Sequence, residues 1–400
     1  ATQLFTPNWI VKYMVQNTIG AKRLETYPDS SLREQMEFYV EPAEQSDEVK
    51  SKLNEITPTS LNPEELTLMD PACGSGHILV EAYNVFRAIY LEQGYQRTEI
   101  PELILTKNLY GLDICPRATQ LATFSLLMKG REDYRRLFEV RLKTNIIFLQ
   151  NSTDLDTEVL VKEINFSDYD SRKNDLSELK KLFINATTFG SLINVPEKLF
   201  NSSSMMKRIP VMKNQNLFSS NEVKTFLPLL HQLKILGGEY DVVVANPPYL
   251  GSGGMNALLK KFVTDNFLDT KTDLFSCFIE RGFMFTKAGG YNSMVTMQSW
   301  MFLSSFQSMR EKLLAQKTIT NMAHLGPHSF DSISGTVVQT VASVFRDIEL
   351  KEYRPTFFRL IDGDENIKKR NLIHKNYRYI NLIQNSFNKI QGSPIAYWAS

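Results

Sequence analysis

Asp241-Val242-Val243-Val244-Ala245-Asn246-Pro247-Pro248-Tyr249 joins an apolar run to an amide, two prolines and an aromatic ring. The apolar part reads as a buried strand. The prolines at its end fix the backbone and remove two N–H donors, which leaves the carbonyls aimed one way. The Asn246 side-chain oxygen and the Pro247 carbonyl can then accept the two hydrogens of an exocyclic amine, and Tyr249 can stack on a flat ring. Those parts suit chemistry on the amino group of a nucleobase. The bland alternative is a strand-ending Asn-Pro turn.

Outward from this strand the chain keeps a βα rhythm. Upstream lie expected strands at Leu66–Met69, Asn108–Leu112 and Ile146–Leu149, with helices over His77–Gln93 and Pro116–Lys129. Downstream lie helices near Asp273–Lys287 and Ser304–Ala315 and strands at Tyr291–Thr296, Ile319–Leu325 and Thr336–Arg346. Strands alternating with helices predict an α/β fold, a mostly parallel sheet covered on both faces. The last two strands lack a helix between them and are expected to pair antiparallel, with Ser332-Ile333-Ser334-Gly335 near the turn. Residues 151–238 break the rhythm. They are rich in Asn, Ser, Lys and Asp and read as an insertion with helices near Asp175–Phe183 and Asn221–Leu236. The division expected is a helical segment over 1–60, a catalytic domain over 61–350, and a basic segment over 351–400 that ends in a linker-like Gly392–Trp398.

The 400 residues are 42% hydrophobic and 22% charged, as in ordinary globular chains. Net charge is +1, so no global basic field announces a nucleic-acid partner. The three cysteines, Cys73, Cys115 and Cys277, have no zinc-type spacing, and the five histidines form no metal motif. No apolar run reaches membrane-spanning length and no signal peptide is visible, so the cytoplasm is expected and a membrane is not. The first residue is Ala1, which suggests processing or a fragment.

Two further motifs sit at strand ends. Asp70-Pro71-Ala72-Cys73-Gly74-Ser75-Gly76 follows the first strand. Small residues let a ligand approach the backbone, and the helix that follows offers free N–H groups. The spacing matches neither a dinucleotide fingerprint nor a P-loop. An acid before the glycines repels phosphate and welcomes an ammonium. Asp113 ends the second strand, where a carboxylate can accept from both hydroxyls of a ribose. A capped βα turn and a helix-capping aspartate are the plain alternatives.

Taken together, the chain resembles the N6-adenine DNA methyltransferases whose cofactor motifs precede the catalytic one. Thr6-Pro7 and the helix after it resemble the N-terminal cofactor motif, Asp70–Gly76 the glycine loop for S-adenosylmethionine, Asp113-Ile114 the ribose acid and its neighbour, and Asn246–Tyr249 the catalytic tetrad. Thr272-Asp273-Leu274-Phe275 resembles the next family helix, beside the adenine pocket. For the residue that touches the cofactor adenine after the third strand the candidates are Gln150 and Asn151, neither a clear match to the family pattern, and the plainer reading is that they begin the insertion. Phe5–Val11 and Gly392–Trp398 resemble, more narrowly, the large methyltransferases of BREX phage-defence systems. Those are longer proteins, which implies that this is their N-terminal catalytic portion. The resemblance implies a Rossmann-like class I fold with seven strands and a helical insertion, and double-stranded DNA as substrate. Other BREX components and phage-encoded DNA mimics are implied partners that no residue pattern here supports directly.

The implied chemistry extrudes the adenine and stacks it on Tyr249. Asn246 and Pro247 draw its amino nitrogen toward tetrahedral geometry, with no metal and no covalent intermediate. A protein-glutamine methyltransferase uses a similar tetrad, but such enzymes are compact and lack the Thr-Pro helix. A non-catalytic cofactor-binding module is the third possibility. His77 is expected to belong to the first turn of its helix without proton chemistry. Lys368, Lys369 and Arg370 are either solvated surface or phosphate contacts.

Overall fold

In a computed structural model of the chain, the described residues are 6–164, 169–201, 221–330 and 338–399. A nine-stranded sheet organises them in the order β3-β2-β1-β4-β5-β7-β6-β8-β9. The strands are β1 (Leu68–Asp70), β2 (Leu109–Asp113), β3 (Asn145–Phe148), β4 (Tyr240–Ala245), β5 (Thr286–Met297), β6 (Thr318–Gly326), β7 (Thr340–Arg346), β8 (Thr356–Arg359) and β9 (Arg378–Tyr379). β3, β2, β1, β4 and β5 run parallel. β7 inserts antiparallel between β5 and β6, as the missing helix between β6 and β7 requires. The expected turn at Ser332–Gly335 lies outside the described residues.

All six residues of β4 are buried, and their alternation feeds two cores. Val242 and Val244 join the layer of Trp9, Ile10 and Met14, the His77–Glu92 helix and the Pro116–Arg131 helix. Val243 and Ala245 join the opposite layer, built from the insertion and the Leu274–Phe285 and Gln307–Gln316 helices. This double cover is why β4 carries no polar alternation. Within the insertion, helices stand at Tyr169–Phe183 and Asn221–Leu236, where the sequence places them.

Two expectations need correction. The sheet has nine strands rather than seven, because residues 356–379 supply β8 parallel to β6 and β9 antiparallel to β8. The stretch that reads as a basic tail is thus woven into the fold. Tyr397, fully buried, stacks on Phe357 with ring centroids 4.6 Å apart and meets His324 Nδ1 at 2.9 Å. Lys368 is not a surface cation. It is fully buried, and its Nζ donates to the carbonyls of Leu325 and Pro327 at the end of β6. Lys368→Met should therefore lower stability by about 1–3 kcal/mol, the cost of two unpaired carbonyls, rather than flatten the salt dependence of any DNA binding. Denaturant titration beside a salt series separates the two outcomes.

Candidate active site

β1 ends in Asp70, and the turn after it needs backbone that only glycine adopts readily. Gly74 has φ +51° and Gly76 φ +88°. A Cβ on Gly76 would lie 2.9 Å from Ala122 Cβ, so the loop sits hard against the Pro116–Arg131 helix. At Gly74 a Cβ would meet nothing within 4 Å, so this part of the cradle is open. Cys73 N donates to Leu112 O at 2.9 Å, and Gly76 N to Cys73 O at 2.8 Å, which stitches the loop to β2 and closes it. The Cys73 thiol is buried, and burial pushes it well above the ordinary range, so it packs rather than reacts.

Asp113 governs this loop from the end of β2. Its Oδ2 accepts from Gly74 N at 3.0 Å and its Oδ1 from Cys115 N at 2.8 Å. Asp70 is 1% exposed, and its Oδ1 accepts from Ala72 N at 3.1 Å. Burial first, and the nearby Asp113 charge second, push the Asp70 carboxyl up to about 8. Two carboxyl groups, a partly buried loop backbone and a helix N-terminus therefore converge at the ends of β1 and β2.

The second half of the site stands at the end of β4. Asn246 Nδ2 donates to Thr6 Oγ1 at 2.9 Å across 240 residues of sequence. Pro7 holds the N-cap position of the first helix, Asn8–Val15, and the Thr6 hydroxyl just before it orients the Asn246 amide, which turns Oδ1 away from Thr6. Pro247 is buried, while Asn246, Pro248 and Tyr249 are half-buried. Tyr249 donates to Val295 O at 3.1 Å and meets Phe275 edge-to-face at 6.2 Å. Burial pushes its phenol up, which keeps it a neutral donor. Asp273 fixes the loop beyond the tetrad. Its Oδ1 accepts from Leu250 N at 3.0 Å and from Phe275 N at 3.3 Å, so Asp273–Phe275 is tied to the tetrad as well as to its own helix.

The insertion reaches the same edge of the sheet. Asn151 Oδ1 accepts from Thr187 N at 3.0 Å and Thr187 Oγ1 at 3.1 Å, and Gln150 exchanges backbone-to-amide bonds with Gln232. Ser191 Oγ donates to Pro71 O at 2.5 Å, a direct strut onto the glycine loop. The Arg281 guanidinium, 2% exposed, donates to Ser191 O at 3.0 Å and to Ile193 O and Leu236 O, each at 2.8 Å. Burial holds this guanidinium down at about 9. Sequence reading missed Ser191 and Arg281. The one available signal was an arginine inside Leu274–Phe285, a helix otherwise crowded with phenylalanines.

Comparison with known families follows this geometry. The family model described as Eco57I restriction-modification methylase matches residues 107–330. The chain belongs to that family. A second model, N-6 DNA Methylase, matches residues 47–142, so the two together cover the glycine loop, Asp113 and the tetrad strand of this Eco57I-type chain. Among curated relatives, the adenine-specific methyltransferase BrxX of Escherichia coli O9:H4 (strain HS) is 46% identical over 422 residues, which is all of this chain and 35% of that protein. The adenine-specific methyltransferase PglX of Lacticaseibacillus casei (strain Zhang) is 38% identical over 418 residues, again all of this chain and 34% of that protein. The chain thus spans about a third of the length of the curated relatives it matches. Among solved structures, the Type ISP restriction-modification enzymes LlaBIII and LlaGI superpose with TM-scores of 0.51 and 0.52 at 12% identity. Each alignment covers 94% of this chain, and 21% and 26% of those chains respectively. That likeness supports the α/β fold of this Eco57I-type chain.

Proposed function

We propose that this chain is the catalytic unit of a site-specific DNA methyltransferase that modifies the N6 amine of an extruded adenine, with S-adenosylmethionine as methyl donor. The observation that carries the reading is the Thr6–Asn246 bond. It puts the N-terminal Thr-Pro motif and the tetrad in one corner, on the sheet edge that also holds Gly74 and Asp113. Two relatives that align over the whole chain are named adenine-specific methyltransferases.

The residues present fit the cofactor. The open cradle at Gly74 takes close backbone approach, Asp113 has lone pairs for ribose hydroxyls, and Asp70, on giving up its proton, supplies negative charge for an ammonium. Thr6, Pro7, Pro71, Ala72, Cys73, Gly76 and Ile114 shape the pocket, with Asn151 at the end of β3 beside it. When bound, S-adenosylmethionine supplies an electrophilic methyl group on a sulfonium sulfur. The protein's part is positioning and polarisation. Asn246 Oδ1 and the Pro247 carbonyl accept the two amino hydrogens, which draws the nitrogen lone pair out of conjugation. Pro248 stiffens the turn that aims them. Tyr249, held by Val295 O, offers its ring to the extruded base and offsets part of the cost of unstacking, at about 1–3 kcal/mol.

Residues 61–350 are the catalytic domain in this reading. Residues 1–60 contribute Thr6-Pro7, and residues 351–400 buttress the far end of the sheet. DNA sequence choice is assigned to regions of the relatives beyond the third that this chain spans. Host-DNA marking in a BREX-type defence system is the role this reading takes from the sequence resemblance, with other BREX components and DNA-mimic inhibitors as further proposed partners. Among the described residues, no helix is long and apolar enough to cross a membrane, and a cytoplasmic site of action accords with DNA as substrate. Labelled methyl transfer to DNA, but not to a release-factor-like protein, tests the whole assignment.

Asp70 gives this reading a pH signature. Its folded carboxyl titrates at about 8 against about 3.9 in an unfolded chain, so its contribution to stability falls as pH rises between those values. A bound cation favours the carboxylate. S-Adenosylhomocysteine, through its ammonium, should therefore displace a proton below about pH 8 and bind more tightly as pH climbs toward that value. Calorimetry in buffers of different ionisation heat reads the proton release directly, and Asp70→Asn should remove it.

A further inference from the structure

The Pro116–Arg131 helix is apolar on two opposite faces. Thr119, Ala122, Leu126 and Gly130 are buried. Leu121, Phe124 and Met128 lie about 180° around the helix from them. Those three are 52%, 57% and 40% exposed. An ordinary surface helix carries polar groups on that face. The patch continues past both ends of the helix to Ile114 and Phe138, which are also exposed. Single exposed apolar side chains are normal. Five within residues 114–138, three of them in one helical stripe, mark a face that another surface covers. One flank of the stripe opens into a groove of about 830 Å³, shared with the helices Asn8–Val15 and His77–Glu92. The groove starts beside Ser75. Leu121, Met128 and Val80 give it apolar walls, and Arg131 and Arg135 stand at its far end.

Cations ring this patch. Arg117, Arg131, Arg135 and Arg136 are exposed, and Arg131 lies over the Phe138 ring at 5.7 Å. The acids nearby are already committed. Glu132 pairs with Lys129 at 2.7 Å, and Asp133 with Arg87 at 2.6 Å and Arg97 at 3.2 Å. Across the groove, Glu81 accepts from Asn84 at 3.2 Å. A chain of net charge +1 thus gathers uncompensated positive charge around one apolar stripe. The complement is a helix with an apolar face and acidic flanks. From Arg117 to Arg131 the stripe is about 21 Å long, the length of a four-turn partner. A second copy of the chain is a poor complement, because two of these helices laid together in either direction set arginine against arginine. DNA is a poor complement too. A duplex that reaches the tetrad lies along the strand ends, whereas this helix runs back from that edge, and leucine, phenylalanine and methionine offer phosphates no hydrogen bond.

We propose that the outer face of the Pro116–Arg131 helix docks an acidic amphipathic helix, with apolar side chains along Leu121, Phe124 and Met128 and carboxylates on the arginines. The proposal does not depend on the methyl-transfer reading, because its anchors lie outside the tetrad and the glycine loop. The probe is a fluorescently labelled synthetic helix of about 18 residues, long enough to span the stripe, with leucine along one face and glutamate on its flanks. Its anisotropy reads binding, and the unaltered chain should bind in the micromolar range. Phe124→Ser should weaken binding about tenfold or more, the loss of one apolar anchor, while its circular dichroism melt matches that of the unaltered chain. Arg131→Glu combined with Arg135→Glu should lose the glutamate-flanked helix and gain one flanked by lysine, a reversal that a merely misfolded surface cannot produce. Absence of binding by the unaltered chain overturns the proposal, as does binding that Phe124→Ser leaves unchanged. Duplex DNA that displaces the probe and binds Phe124→Ser normally would overturn it too, and would assign the face to nucleic acid.

Discussion

Asn246→Ala should reduce methyl transfer at least about 10²–10³-fold, the scale for loss of one preorganised polar group facing the reacting centre. Two changes combine in this variant. The proposed acceptor for one amino hydrogen disappears, so in that reading the adenine nitrogen keeps more of its lone pair in the ring. The Thr6 hydroxyl also loses the Nδ2–H it accepts at 2.9 Å. The glycine loop is untouched, because its ties run to Asp113, Leu112 and Ser191. S-Adenosylhomocysteine affinity should therefore stay within a few-fold of the unaltered chain while turnover collapses. Thr6→Val discriminates between the two contributions: it removes only the hydroxyl and should cost less than Asn246→Ala. Normal turnover in a well-folded Asn246→Ala protein would refute the catalytic assignment.

Asp113→Ala should produce the opposite pattern, a failure of cofactor binding. The carboxylate accepts from Gly74 N and Cys115 N, so its removal leaves two backbone donors of the loop without their acceptor. It also removes the acceptor proposed for the ribose hydroxyls. Charge-assisted hydrogen bonds contribute about 1.5–3 kcal/mol each, so a weakening of S-adenosylhomocysteine binding by about 100-fold or more is expected. Asp113→Asn keeps an acceptor oxygen and should recover part of that loss. Equilibrium dialysis measures both variants, and equal affinities for Asp113→Ala and the unaltered chain would remove Asp113 from the site.

What could be read in advance followed the local physics. The β4 run and its amide-proline ending declared themselves because burial on both faces and rigid prolines leave a composition that few other structures share. The glycine loop was visible for the same reason, since positive φ at Gly74 and Gly76 restricts residue choice. Long-range chemistry was not legible. Nothing near Lys368 says that its ammonium will close the end of a strand some forty residues earlier. Two short strands after Arg346 were missed because β8 has four residues and β9 two, too few for a period-2 pattern to register. Ser191 and Arg281 were missed because each acquires its role only from partners 45 to 120 residues away. The insertion looked like polar filler, and its apolar side became evident only where it packs on Met69, Leu112 and Val243.

The bond between Thr6 and Asn246 also bears on how the molecule is made. During synthesis the hydroxyl leaves the ribosome long before its amide partner, which is 240 residues behind. A growing chain can close the glycine loop onto β2 early, since those residues lie within one βα unit. It has no finished corner until β4 has emerged and docked. Products truncated before β4 therefore carry the glycine loop and Asp113 but lack the Asn246 amide that Thr6 orients.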